Sequence, residues 1–99
     1  MLVKSFNPAF GLGQTFTATA TTASNAIGKG AGSLCLTNLG DFTVYVAAGI
    51  GSTTAATIAD YPLLSGNQVS ISKFKDCDYV AVIAPSGNTV IHVIQGEGV

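Results

Sequence analysis

The side chains able to do chemistry are few and scattered. The chain has one imidazole, His92, and two thiols, Cys35 and Cys77, far apart in sequence. Nucleophilic catalysis needs a base held beside the nucleophile and an acid orienting the base. His92 lies between Ile91 and Val93 with no such acid near it, so it reads as a strand histidine with a hydrogen bond or solvent contact. Cys35, inside an apolar run, reads as a small buried hydrophobe. Cys77 stands between Asp76 and Asp78, whose carboxylates disfavour the thiolate that redox or nucleophilic work requires. The cysteine spacing fits no tetrahedral zinc pattern.

Asp76-x-Asp78, with Asp60 as a third oxygen donor, resembles a fragment of a calcium loop, but no glutamate follows at the distance such a loop needs. Solvated loops are the expectation for all three. Gly28-Lys29-Gly30-Ala31-Gly32-Ser33 lacks the spacing of a P-loop, and Gly49-x-Gly51 lacks a third glycine and a following helix. Both clusters read as turns. Aromatic residues make up 8% of the chain with no Trp, so Tyr45, Tyr61 and Tyr79 point to packing before a sugar platform. The residues therefore predict no catalytic site, cofactor or metal, and a protein that is not an enzyme.

The elements are β-strands. Apolar residues recur at a spacing of two inside short runs bounded by Gly, Asn, Asp and Pro, and no long segment keeps a helical period. Residues 15–21 alternate strictly, with Thr15, Thr17, Thr19 and Thr21 on one face and Phe16, Ala18 and Ala20 on the other. Their small side chains add little to a core, which predicts an edge strand open to pairing between chains. Further strands are expected over 34–37 and 42–47, joined by a hairpin loop at Asn38-Leu39-Gly40-Asp41, and over 69–73. Residues 52–60 are compatible with loop, irregular strand or one helical turn. The unbroken apolar run 79–84 predicts a central strand buried on both faces, followed by the turn Pro85-Ser86-Gly87-Asn88 and a last strand over 89–95.

An offset of 47 residues places Gly40-Asp41 on Gly87-Asn88 and Tyr45-Val46 on His92-Val93, an echo that reads as two equivalent hairpins or as chance. Strands this short, with turns every 8 to 12 residues or so, predict an all-β fold: a two-sheet β-sandwich or a jelly-roll-like small barrel. The expected organisation is an N-terminal arm or edge segment over 1–14, carrying the apolar anchors Phe6 and Phe10, and a β-sandwich domain over 15–99.

Composition narrows the function. Charged residues are 9% of the chain and the net charge is −1, against about 25% charged residues in an average soluble domain. Four dispersed lysines and no arginine exclude a phosphate-binding surface, so no nucleic-acid partner is expected. No apolar run approaches the roughly 20 residues of a spanning helix, and none near the N-terminus has signal-peptide length, which predicts no membrane partner and synthesis in a cytoplasm. A surface with so little charge suits a subunit meant to be covered by neighbours.

The run Phe42-Thr43-Val44-Tyr45-Val46, then Thr53-Thr54-Ala55-Ala56-Thr57 with Ala59-Asp60-Tyr61-Pro62-Leu63-Leu64-x-Gly66 before Val69-x-Ile71, then Tyr79 to Ala84 and Val90-Ile91-His92-Val93 closing on Gly96-Glu97-Gly98, resembles small β-sandwich virion proteins of tailed bacteriophages. The resemblance covers residues 34–98. It implies a capsid decoration (cement) protein that binds and stabilises the assembled head from the outer capsid surface, as a homotrimer with the major capsid protein as partner. A receptor- or glycan-binding module on a head fibre or tail, and a tail or connector ring subunit, are the alternatives. Under the decoration reading, Phe6, Phe10 and the face carrying Thr15, Thr17, Thr19 and Thr21 form the candidate interface, between chains or to the shell.

Overall fold

The computed structural model describes residues 7–97, and these contain nine β-strands and no helix. In chain order they are β1 (Asn7–Pro8), β2 (Gln14–Ala18), β3 (Ala23–Ala26), β4 (Ser33–Asn38), β5 (Val44–Gly49), β6 (Tyr61–Leu63), β7 (Gln68–Ser72), β8 (Tyr79–Ile83) and β9 (Thr89–Glu97). They form two antiparallel sheets. One runs β1-β9-β4-β7, with β2 also paired to β9 beside β1; the other runs β3-β8-β5-β6. From β2 onward successive strands alternate between the two sheets except β5 and β6, which pair within the second, so every connection but that one crosses the sandwich. That order is a jelly roll, and the expected all-β fold stands.

The core lies between the sheets. Leu34, Leu36, Ile91, Val93 and Ala18 from the first sheet meet Val44, Val46, Val80, Val82 and Leu63 from the second, all at most 3% exposed. Phe16, Ile27, Val69 and Ile71 close its margins. The period-two pattern puts these residues on one side of each strand because successive side chains point to opposite faces.

The crossing topology corrects two expectations. Asn38-Leu39-Gly40-Asp41 is not a hairpin loop: β4 pairs with β7 and β9, β5 with β6 and β8, and the loop carries the chain from one sheet to the other. The echo at residues 85–88 makes the reverse crossing, from β8 to β9. The two loops sit against each other, for Leu39 donates its N–H to the Val90 carbonyl at 2.9 Å. A Cβ on Gly40 would lie 1.6 Å from Thr89 Oγ1, and one on Gly87 would lie 2.6 Å from the Phe42 ring. The echo therefore records paired crossings rather than paired hairpins. Close approach, not backbone freedom, requires glycine at both positions.

Asn38 locks this end of the sandwich. It faces inward, is 1% exposed, and its Nδ2 donates to the carbonyls of Phe42 at 2.7 Å and Leu63 at 2.9 Å. Its Oδ1 accepts from Gly40 N–H at 3.0 Å and from the Thr89 hydroxyl at 3.2 Å. A buried amide with both atoms satisfied fixes the two crossings and the end of β6 in one geometry.

Residues 50–60 form an irregular link that lies over the outer face of the second sheet. Ser24 Oγ donates to Ser52 O at 2.8 Å, and Ala56 N–H donates to Thr22 Oγ1 at 2.8 Å. Val80 and Val82 join the core, so Ala81 between them faces outward, yet it is fully buried. β8 is thus a central strand covered on both sides, as its unbroken apolar run predicts, and the link supplies the outer cover. No helix among the described residues is long and apolar enough to cross a membrane.

Candidate interface on the five-stranded sheet

The candidate catalytic groups stay apart. His92 projects from the outer face of β9, opposite Thr37 on β4 and Thr15 on β2, with its imidazole under the backbone of Gly13: a Cβ there would lie 2.7 Å from Nε2. Cys35 lies on the outer side of β4, since Leu34 and Leu36 on either side of it enter the core; it and Cys77 are free and buried. Cys77 sits at the β7–β8 turn. Asp60 caps Thr57 N–H at 2.7 Å, whereas Asp78 accepts from Gly51 N–H at 3.0 Å, so the three aspartates form no shared site. Among the described residues no three His, Cys, Asp or Glu side chains are grouped to hold a metal.

Lys73 is drawn into the fold. Its Nζ donates to the carbonyls of Ala31 at 2.8 Å and Cys77 at 3.0 Å, tying the β3–β4 loop to the β7–β8 turn. Burial holds its pKa below the usual lysine value, partly offset by the charges of Cys77, Glu97 and Asp78. An open cleft of about 390 Å³ lies beside it, lined by Ala48, Ser72, Phe74 and Cys77.

The outer face of the five-stranded sheet tells more. In the five-stranded sheet, Phe16, Ala18, Leu34, Leu36, Val69, Ile71, Ile91 and Val93 point into the core, so the residues between them point out. By register these are Thr15 and Thr17 on β2, Val90, His92 and Ile94 on β9, Cys35 and Thr37 on β4, and Gln68 and Ser70 on β7. None carries a carboxylate, ammonium or guanidinium. Cys35 apart, all are half-buried or exposed. The result is a broad β-face of hydroxyl, amide and aliphatic groups, with β2 as its free edge, since β2 pairs with β9 alone.

Of the sequence-predicted interface residues, Thr15 and Thr17 stand on this face and are exposed. Thr19 and Thr21 leave it: β2 ends at Ala18, and Thr19 Oγ1 donates to Thr21 O at 3.2 Å within the β2–β3 turn. The alternation of residues 15–21 continues past the strand because threonine and alanine serve turns as readily as strands. Phe10 is 84% exposed, on a protruding link between β1 and β2 that is fastened by Ala9 N–H to Gln95 O at 2.8 Å. Residues 7–9, assigned by sequence to the N-terminal arm, thus run along the end of β9. Phe6 lies outside the described residues. The sequence reading missed Val90, His92, Ile94, Thr37, Gln68 and Ser70; the signal was the absence of charge at every outward position of three strands that are not adjacent in sequence.

Comparison with known proteins finds no matching family model and no matching curated protein. Solved structures do resemble the chain. One, the crystal structure of PirA, is 10% identical over 85% of this chain and 93% of its own, with a TM-score of 0.53. A second, from Bacillus endospore appendages described as disulfide-linked pili, is 15% identical over 97% of this chain and 90% of its own, with a TM-score of 0.50. A third, hydroxypropylphosphonic acid epoxidase from S. wedmorenis with fosfomycin, is 13% identical over 84% of this chain and 42% of its own, at 0.49. At such identities the likeness is one of fold.

Proposed function

We propose that this chain is a structural virion protein of a tailed phage, a decoration subunit that binds the outer surface of the assembled head and stabilises it. The observation that carries the reading is the charge-free outer face of the five-stranded sheet with its unpaired β2 edge. A solvated sheet face ordinarily carries charged side chains, and edges carry lysine or proline against unwanted pairing. The face carries no charge and β2 neither lysine nor proline, which suits a surface covered in the working assembly.

Exposed apolar side chains add to it. Phe10, Phe74, Ile58 and Ile50 are each at least 66% exposed, on a chain whose charged residues are 9% of the total. Contacts through such groups are individually modest and add up over a lattice through effective concentration. A ligand that binds only the assembled shell stabilises it by mass action. The use of a similar fold in appendage pili is in keeping with a subunit of an assembly.

The test is reconstitution. Purified chain added to heads that lack it is expected to bind saturably, in a fixed ratio to the major capsid protein, and to raise the temperature at which the shells open. No binding, or binding with no shift in shell opening, overturns the proposal. Rings of six or twelve copies in mass photometry, in place of trimers, favour a tail or connector subunit instead.

A further inference from the structure

Each sheet ends in two edge strands: β2, continued by β1, and β7 in the first, β3 and β6 in the second. Three of these edges are guarded. β6 carries Pro62 at its middle, β7 leads into Lys73 and Lys75, and Asn25 of β3 turns its Nδ2 back to the Ala23 carbonyl of its own strand at 3.4 Å. Proline and lysine keep an edge from pairing with another chain, and a side chain bonded to its own strand occupies an acceptor. β2 has none of these. No Asp, Glu, Lys, Arg or His occurs between Ser5 and Gly28, the stretch that builds β1, β2 and β3. β2 is also firmly placed: it pairs with β9 along its whole length, and Thr19 O just beyond it accepts from Ala84 N–H at 2.7 Å. Successive residues of a strand aim their N–H and C=O groups alternately to its two sides, so the side away from β9 presents a row of backbone donors and acceptors.

The residues of β2 select the occupant. Thr15-Phe16-Thr17 reads the same in both directions, so two copies laid antiparallel about a twofold axis at Phe16 match position by position. Thr15 then stands opposite the partner's Thr17 on the outer face, and Phe16 opposite the partner's Phe16 on the core side. Threonine pairs and aromatic pairs are among the favourable cross-strand combinations, and no like charges meet. Phe16 gives the pairing a driving force. It is half-buried at the margin of the core, and a second ring against it covers what the fold leaves open. The same register sets Gln14 opposite the partner's Ala18, which carries the exposed Phe10 alongside the partner's β2–β3 turn.

We propose that a second copy of this chain pairs with β2 through an antiparallel twofold strand contact, joining two five-stranded sheets into one continuous sheet. About four to six backbone hydrogen bonds form across the axis. The contact is isologous and closes on itself, as in most homodimers. It is made between copies of the chain alone and needs no capsid. It leaves the opposite flank of β6 and β7 free for a threefold contact, so on a shell carrying trimers it ties neighbouring trimers together.

Cysteine cross-linking reads the register. Thr15→Cys and Thr17→Cys are made singly in the full chain, at exposed positions. Mixed and oxidised with diamide, the two variants are expected to give a covalent dimer, because directly opposed residues lie within the roughly 4.4–6.8 Å Cα separation that a disulfide spans. Either variant alone is expected to give about fivefold less, since its cysteines meet only on the diagonal. The parent chain, with Cys35 and Cys77 buried, is expected to give none. In sedimentation the parent is expected to self-associate with a Kd of about 100 µM, as suits a short strand contact. Thr17→Lys is expected to weaken that association about tenfold, and adding Thr15→Glu, which the register sets opposite the partner's position 17, to restore it. A chain that does not self-associate up to about 1 mM overturns the proposal. So do equal cross-links in mixed and unmixed samples, and an association that Thr17→Lys leaves unchanged. A monomer that still binds heads overturns the strand contact and leaves the capsid reading standing.

Discussion

Asn38 is a side chain whose loss the fold tolerates poorly. Replacing it with Leu keeps the volume but leaves the buried Leu63 carbonyl and Thr89 hydroxyl, and the part-buried Phe42 carbonyl and Gly40 N–H, without that partner. Each buried unsatisfied group costs about 1–3 kcal/mol, so urea unfolding of Asn38→Leu is expected to show a loss of about 3 kcal/mol or more. Gly40→Ala tests the same junction by overpacking, and about 2 kcal/mol or more is expected because the new methyl group would overlap Thr89. Lys73 gives a pH signature. Its folded pKa lies below the unfolded 10.5, so between those values the unfolded chain holds the extra proton. Stability therefore rises with pH across the interval just below 10.5 and is flat beneath it. Lys73→Met is expected to abolish that slope in denaturation curves recorded from pH 8 to pH 11 or so.

At the scale of elements, local pattern reveals the strands and hides their partners. The alternation in 69–73 and the unbroken run 79–84 point to β7 and to a doubly covered β8, because side-chain period and burial are local properties. Whether a Gly-Asp or Gly-Asn turn closes a hairpin or crosses between sheets depends on distant pairings, such as Leu34 with Ile71 and with Gln95, which no local pattern encodes. The candidate interface was legible in part for the same reason. Thr15 and Thr17 stand out within one strand, whereas Val90, Thr37 and Ser70 become a single face only once β9, β4 and β7 lie side by side. Thr17→Lys and Val90→Lys each put a charge on that face without touching the core. Both are expected to leave stability within about 0.5 kcal/mol of the parent and to remove binding to heads, read by thermal unfolding and by co-sedimentation.

The whole molecule is a jelly roll with principal extents of 40 × 28 × 26 Å and little charge to keep copies apart. With its outer sheet face and apolar loops uncovered, the purified chain is expected to self-associate as concentration rises, seen as a growing mass in light scattering that added salt does not reverse. A single density map of tailed-phage heads reconstituted with this chain tests the proposed decoration role most directly. The account predicts trimers of the jelly roll on the outside of the head, with the Thr15, Thr17 and Val90 face and Phe10 turned toward neighbouring protein. A particle in which the chain is absent from the shell, or in which that face stands open to solvent, contradicts it.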